Sequence, residues 1–400
     1  MRTAPILGIE THLASAASHT RWGVCGLICN QASTYGPAYR ATATALKAQL
    51  GSRLRLLFTP QHGYFGTEQD NMIESAHGIH EETQLPIFSL YSQTRQPPEE
   101  ALQGIDTLLF DLPVVGCRVY TYKYTLAECL RAAKKWGKRL VVFDRPNPVG
   151  GRYIEGPCLV PTRFSFVGQF SLPMRHGLSM GEFARFCNAE IGAELEVVPL
   201  QNWDFHPMHA PMPWTWTSPN LPTLESVALY PGLVLLEGAN LSEGRGTTMP
   251  FQLAGAPYIP SSVEYAARLR RYFPSEAVVI RPMDFLPTFN KWKGQVCHGA
   301  QFHVVRPEVE FPSFALGLCV LKVAMEVAGE AVQGKLPPYE YEYVHPPLDL
   351  IVGLEDSQTK LATLPLDHPV WTQGHATYLE QVASALLYPR ELQPLLLASS

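Results

Sequence analysis

Apolar runs of strand length recur through the first 150 residues, at Val24–Cys29, Leu54–Phe58, Ile87–Leu90, Thr107–Leu112 and Leu140–Asp144. Helical stretches near Tyr39–Leu50, Pro98–Gln103 and Thr121–Trp136 lie between them. A strand that is apolar along its whole length, rather than on alternate residues, needs cover on both faces, and intervening helices supply it. The pattern therefore predicts an α/β fold built on a Rossmann-like parallel sheet. Residues 1–155 are expected to form that unit, with 156–250 available to complete the sheet. A smaller α+β unit with a C-terminal wrapping tail is expected over 251–400. A chain of 400 residues is long enough for about two such domains.

Each strand runs into a polar, turn-rich segment. These are Asn30-Gln31-Ala32-Ser33, Pro60-Gln61-His62-Gly63, Asp111-Leu112-Pro113 and Asp144-Arg145-Pro146-Asn147-Pro148. In doubly wound sheets ligands bind outside the carboxyl ends of the strands, so a site is expected on that edge. No GxGxxG follows the first strand and no GxxxxGK[ST] occurs, so no nucleotide cofactor is expected. No His or Cys spacing fits a metal site either.

Beyond residue 150, Ser179 and Glu182 have capping-box spacing ahead of a helix over Phe183–Ile191. Leu195–Leu200 reads as a strand, and 203–223 as a tryptophan- and proline-rich loop too polar and broken for core. A helix at Ser261–Phe273, strands at Ala277–Arg281 and Gln295–Val305, and a helix at Phe314–Ala328 follow.

Hydrophobic content of 46% and charged content of 17% fit a packed globular protein. The net charge of −5 and the lack of a basic cluster argue against nucleic acid. Eight cysteines, mostly within apolar runs, are expected to be buried free thiols. The N-terminus lacks the apolar core of a secretory signal and no run has membrane-spanning length, which predicts a cytoplasmic protein without membrane contact, or a secreted one if a leader was trimmed. Nothing in the sequence reports an oligomeric state.

The segment 235–259 sets Glu237, Glu243 and Arg245 among glycines, directly after the run Leu233–Leu236, which reads as a buried strand. Two carboxylates and an arginine at a strand end fit acid/base work on an anionic, oxygen-rich substrate, with Asn240 and Arg245 as substrate contacts. The loop 59–72 adds Gln61, His62, Glu68 and Asp70; a loop of that length is usually functional, although a lone histidine is more often structural. Arg118 and Tyr120 precede a long helix whose N-terminus favours anions, the alternative being that Asp111 and Arg118 simply pair. Arg145 and Asn147, fixed between prolines, are candidate substrate contacts, with an N-cap role for Asn147 as the alternative. Trp203, Trp214, Trp216 and Tyr230, in company with Asn220, are consistent with a sugar ligand. Arg175 and His176 read as structural.

The landmarks GLICNQAS, FTPQHGYFG, LLFDLPVVGCRVYTY, FDRPNPVGG, RHGLSMGEF, SPNLPT, LYPG, LLEGANLSEGRGTTMPFQLAGAPY, FLPTFNKWKGQVCHGAQFHV and PYEYE appear in this order. Through them the chain resembles, over nearly all its length, the exo-acting β-N-acetylmuramidases, a bacterial family long grouped as a domain of unknown function. The resemblance implies a Rossmann-like domain, a smaller second domain and an active cleft between them. It implies hydrolysis of terminal N-acetylmuramic acid from the non-reducing end of peptidoglycan-derived sugars, with Arg118, Arg145 or Arg245 clamping the lactyl carboxylate. Two departures stand out: Gln61 occupies a position where relatives commonly have glutamate, and Pro113-Val114 replaces a common Gln-Asp. If that glutamate is the usual proton donor, the chain has either lost it or replaced it, with Glu68 or Asp70 as candidate substitutes. Glu237 and Glu243 are expected as the charged pair, with His62 and Asp70 on the opposite wall. A non-catalytic muropeptide or sugar binder, and a hydrolase of another acidic sugar, are the alternatives.

Overall fold

The structure, a computed structural model, describes residues 4–15, 21–70, 72–207 and 214–397. Its main sheet has seven strands: β1 (Cys25–Ile28), β2 (Leu54–Thr59), β3 (Gly78–His80), β4 (Leu85–Ser89), β5 (Thr107–Phe110), β6 (Arg139–Phe143) and β7 (Glu194–Val198). They lie in the order β7-β6-β5-β1-β2-β4-β3. Every neighbouring pair is parallel except β3 with β4. Strands β1 and β5 are buried at every residue, as continuous apolar runs covered on both faces must be. The predicted Rossmann-like α/β class is what the chain adopts, and a second, smaller sheet follows it.

That second sheet is antiparallel: β8 (Leu253–Ala256) and β9 (Val278–Phe285) flank β10 (Cys297–Val304). The helix Ser262–Tyr272 packs on it, and Ser313–Ala328 packs against that helix. Near the C-terminus Gln393–Pro394 pairs with Tyr153–Ile154, and Arg390 forms a buried ion pair with Glu182. Ser179 caps the helix Met180–Ile191 with the full reciprocal capping box.

Two sequence expectations are corrected. Leu233–Leu236 is not a strand: the helix Leu224–Leu233 runs straight into a 3-10 turn at Val234–Gly238. A short, wholly buried apolar run carries no period that separates helix from strand. Here the helix wins because it packs closely on Ser313–Ala328. A Cβ at Gly232 would lie 1.8 Å from the Ser313 carbonyl oxygen and one at Gly317 2.2 Å from that of Gly232. Second, Trp203 does not belong to a solvated loop: it is buried against Phe205 and Tyr388. Residues 208–213 of that predicted loop lie outside the described residues.

All eight cysteines are buried and free, as their apolar settings predict. Among the described residues no helix is long and apolar enough to cross a membrane, and no group of three metal-ligating side chains occurs.

Candidate active site

A pocket of about 410 Å³, part of it open to solvent, opens where the segments after β2 and β5 meet the turn at 234–238 and the segment 339–340. Gln61 and His62 come from the end of β2, and Tyr120 and Thr121 from the approach to the helix Tyr122–Lys135. Ser218 and Asn220 form a third side, and Glu237, Arg245, Tyr339 and Glu340 the fourth. The parallel sheet thus delivers its polar carboxyl-end segments to the site, and the later half of the chain delivers its carboxylates.

Glu237 is held at both oxygens. Arg245 Nη2 donates to Oε1 at 2.8 Å and the Tyr339 hydroxyl donates to Oε2 at 2.7 Å. Arg245 is buried and lies 3.7 Å from Glu243 on its other side. Burial would lower its pKa, but Glu237 and Glu243 together raise it, so the guanidinium remains charged.

Glu340 is the second carboxyl of the pocket, and sequence reasoning missed it. Gln61 Nε2 donates to its Oε1 at 3.2 Å and the Tyr91 hydroxyl donates to Oε2 at 2.7 Å. Burial raises its pKa, outweighing those two hydrogen bonds, which favour the charged form. Arg95 stacks between the rings of Tyr91 and Tyr341, 4.1 and 4.4 Å from their centroids, which braces the Tyr91 side of the carboxyl. The signal was present in PYEYE, a family landmark with a carboxylate between tyrosines.

His62 is buried, with Nδ1 2.5 Å from the Glu68 carbonyl oxygen and Nε2 3.2 Å from Ser218 Oγ. A carbonyl only accepts, so Nδ1 carries the proton and Nε2 accepts from the serine hydroxyl. Burial pushes its pKa down to about 4, so the ring is neutral at physiological pH. His62 and Glu340 both hold left-handed backbone, φ +72° and +44°. Such conformations cost on the order of 1 kcal/mol or more in a non-glycine residue and cluster at functional sites.

Of the other expected residues, Gln61, Tyr120, Asn220 and Arg245 line this pocket. Burial raises the Tyr120 hydroxyl well above its ordinary range, so it stays a neutral group. Asn220 donates to the Gln69 carbonyl oxygen at 2.7 Å.

The remaining candidates are placed elsewhere. Glu243 is fully buried behind Arg245, 2.7 Å from Lys291 Nζ. Burial would raise its pKa, yet Lys291 and Arg245 hold it below the ordinary range. It is a locked counter-charge, not a facing acid. Asp70 is not in the pocket wall; it accepts from Asn290 Nδ2 at 2.6 Å. Arg118 neither lines the pocket nor pairs with Asp111: it is fully buried and donates to the carbonyl oxygens of Leu350, Ile351 and Val352. These are the last carbonyls of the helix Pro347–Val352, where a cation is favoured.

Asp111 pairs instead with Arg145, away from this pocket. Asn147 is fully buried, donating to the Leu178 carbonyl and accepting from Val149 N–H, so it shapes its own turn and caps no helix. Asn240 bonds Ala331 O, Gln333 N–H and the Tyr258 hydroxyl and is likewise structural.

The comparisons with known proteins agree with one another. Family models described as exo-beta-N-acetylmuramidase NamZ, N-terminal and C-terminal, match residues 25–225 and 228–388. The peptidoglycan beta-N-acetylmuramidase NamZ of Bacillus subtilis (strain 168) is 40% identical over 329 residues, 81% of this chain and 78% of that protein. A crystal structure of a DUF1343 family protein from Bacteroides fragilis NCTC 9343 superposes with a TM-score of 0.80 at 26% identity, covering 97% of this chain and 100% of that one. A second DUF1343 protein from the same strain shares the fold, with a TM-score of 0.75 at 24% identity over 98% of this chain and 100% of that one. With family models matching both halves and a relative this similar, the chain belongs to the exo-β-N-acetylmuramidase NamZ family and is a glycosidase by that membership.

Proposed function

We propose that the chain removes terminal N-acetylmuramic acid from peptidoglycan-derived sugars by carboxylate acid/base catalysis, in a cleft between a Rossmann-like unit and a smaller second unit. One observation carries the reading: Glu237 and Glu340 line one pocket in opposed surroundings. Glu340 is buried among neutral donors with its pKa raised, the setting of a carboxyl that keeps a proton to give. Glu237 faces a guanidinium, the setting of a carboxylate that works by its charge. Glu340 protonates the glycosidic oxygen as its bond to the anomeric carbon breaks, Glu237 supports the positive charge that develops there, and water adds to that carbon, its released proton restoring the acid. Gln61, which cannot give a proton, holds Glu340 in place. Arg245, between two carboxylates, is the cation nearest to hand for the lactyl carboxylate. Of the earlier catalytic set, Glu237 is retained, Glu340 takes the place of Glu243, and neutral His62 supports the wall.

The test is release of p-nitrophenol from its N-acetylmuramic acid β-glycoside, alongside the N-acetylglucosamine analogue. Turnover of the muramic compound alone is expected. Turnover of neither compound, with the sugar still bound, would make the chain a binding protein and end the catalytic reading.

A further inference from the structure

The chain folds outward from β1 in both directions: β2 and β4 lie on one side, β5, β6 and β7 on the other. The reversal falls between β1 and β5, and in open α/β sheets the crevice outside the strand ends at such a reversal is where ligands bind. The pocket of Glu237 and Glu340 is not that crevice. A second cavity of about 530 Å³, partly open, is lined there by Thr34, Pro113, Val114, Arg145, Trp214 and Thr215 among others.

Arg145 is the charged group of this cavity, and its side chain is only 7% exposed. Its Nε and Nη2 engage both oxygens of fully buried Asp111 at 2.6 and 2.8 Å, and Nη2 also reaches the Thr34 carbonyl at 3.0 Å. Nη1 has no partner among the described residues. The Asp111 carboxylate fixes the guanidinium plane and leaves one edge of charged N–H donors free. Thr34 Oγ1 and Thr215 Oγ1 lie 3.0 Å apart, so that pair can also offer a hydroxyl. Pro113, Val114 and the half-buried Trp214 make the remaining wall apolar.

The two cavities share a wall. Trp214 and Thr215 line one, and Ser218 lines the other. The intervening chain is pinned by Gln31 Nε2 donating to the Trp216 carbonyl at 3.1 Å and Tyr122 donating to the Thr217 carbonyl at 2.6 Å. A ligand that spans both would need only to pass over this single stretch of chain.

We propose that the cavity at the β1/β5 reversal is a second binding site, taking a carboxylate-bearing group with a small apolar body on Arg145 Nη1. Two sources have this chemistry: the peptidyl limb that muramic acid carries on its lactyl group, or a free small carboxylate. The first rests on the proposed function, and the second does not.

The experiment is calorimetric titration of the wild type, Thr215→Phe and Arg145→Lys. The probes are N-acetylmuramic acid, the dipeptide L-alanyl-D-glutamate, and the two joined as N-acetylmuramoyl-L-alanyl-D-glutamate. Thr215→Phe fills the cavity without touching the ion pair, so it remains informative if Arg145→Lys fails to fold. If the peptidyl limb is the ligand, the joined probe binds about ten-fold or more tightly than the sugar alone, and both variants abolish that gain. If a free carboxylate is the ligand, the dipeptide binds the wild type and loses about ten-fold in the variants, while joining it to the sugar adds nothing. Affinities for all three probes that are unchanged in both folded variants overturn the proposal. Binding is read without turnover, so failure of the glycosidase reading appears separately, in the p-nitrophenol assay.

Discussion

Gln61 and Glu340, 279 positions apart in the chain, meet inside one pocket with the carboxamide nitrogen of the first 3.2 Å from a carboxyl oxygen of the second. The family resemblance leads one to expect a glutamate at the first position. Here the pair is one donor and one acceptor instead of two acids competing for a proton, and Glu340 is left as the titrating partner.

Glu340→Gln is therefore expected to cut turnover by about 10²-fold or more. If protonated Glu340 is the active form, the rate falls as pH rises through its pKa. The Tyr91 hydroxyl lowers that pKa by bonding the charged form. Removing it in Tyr91→Phe should move the alkaline limb of the kcat/KM profile to higher pH. An alkaline limb that stays in place would assign it to another group.

Glu237→Gln and Glu243→Gln should separate chemistry from structure. The first removes a charge from the pocket wall and should lower kcat by about 10²-fold or more in a folded protein. The second leaves Lys291 and Arg245 short of their shared counter-ion, and breaking a buried pair of this kind costs about 3–5 kcal/mol. Denaturant midpoints measured beside kcat read the difference. A Glu243→Gln protein of normal stability with severely reduced kcat would return that residue to the catalytic pair.

The sheet was legible because its strands are apolar without alternation, a pattern few other arrangements tolerate. The polar segments after β1, β2, β5 and β6 were legible as site-forming, yet their division between two cavities was not. That division is made by Trp214–Ser218, which reaches the sheet edge from far along the chain. The pairing of Asp111 with Arg145 instead of Arg118 had the same cause, since sequence distance says nothing about which of two arginines faces a strand end. Glu340 was hidden for a further reason. One of two glutamates in an aromatic tail resembles surface composition until the fold buries it against Tyr91 and Gln61.

Arg118 yields a prediction of stability, not of binding. Its guanidinium satisfies three carbonyls at the end of the helix Pro347–Val352, and a Cβ at Gly353 would lie 2.6 Å from its Nη2. Hydrogen bonds to a charged group contribute about 1.5–3 kcal/mol each, net of the water bonds they replace. Arg118→Leu should lower stability by about 3 kcal/mol or more while the folded fraction keeps its affinity for the sugar. Lost affinity at unchanged stability would restore the substrate-clamp reading.

His62 ties the site to the pH dependence of stability. Its pKa falls from 6.5 in the unfolded chain to about 4 in the fold, chiefly through burial. Between those values the unfolded state binds the extra proton, so stability rises with pH across this window. The contribution is complete above the unfolded value and is lost as pH falls towards about 4, at most on the order of 3 kcal/mol. Asp144 and Glu155, raised by burial to about 6 and about 7, act in the opposite sense. The informative quantity is thus the difference between wild type and His62→Gln, which removes the titration and keeps a hydrogen-bonding side chain. Urea melts of the two at steps from pH 4 to 7 should diverge, with the wild type losing stability relative to the variant on acidification. Parallel curves would mean that His62 titrates normally and is open to solvent.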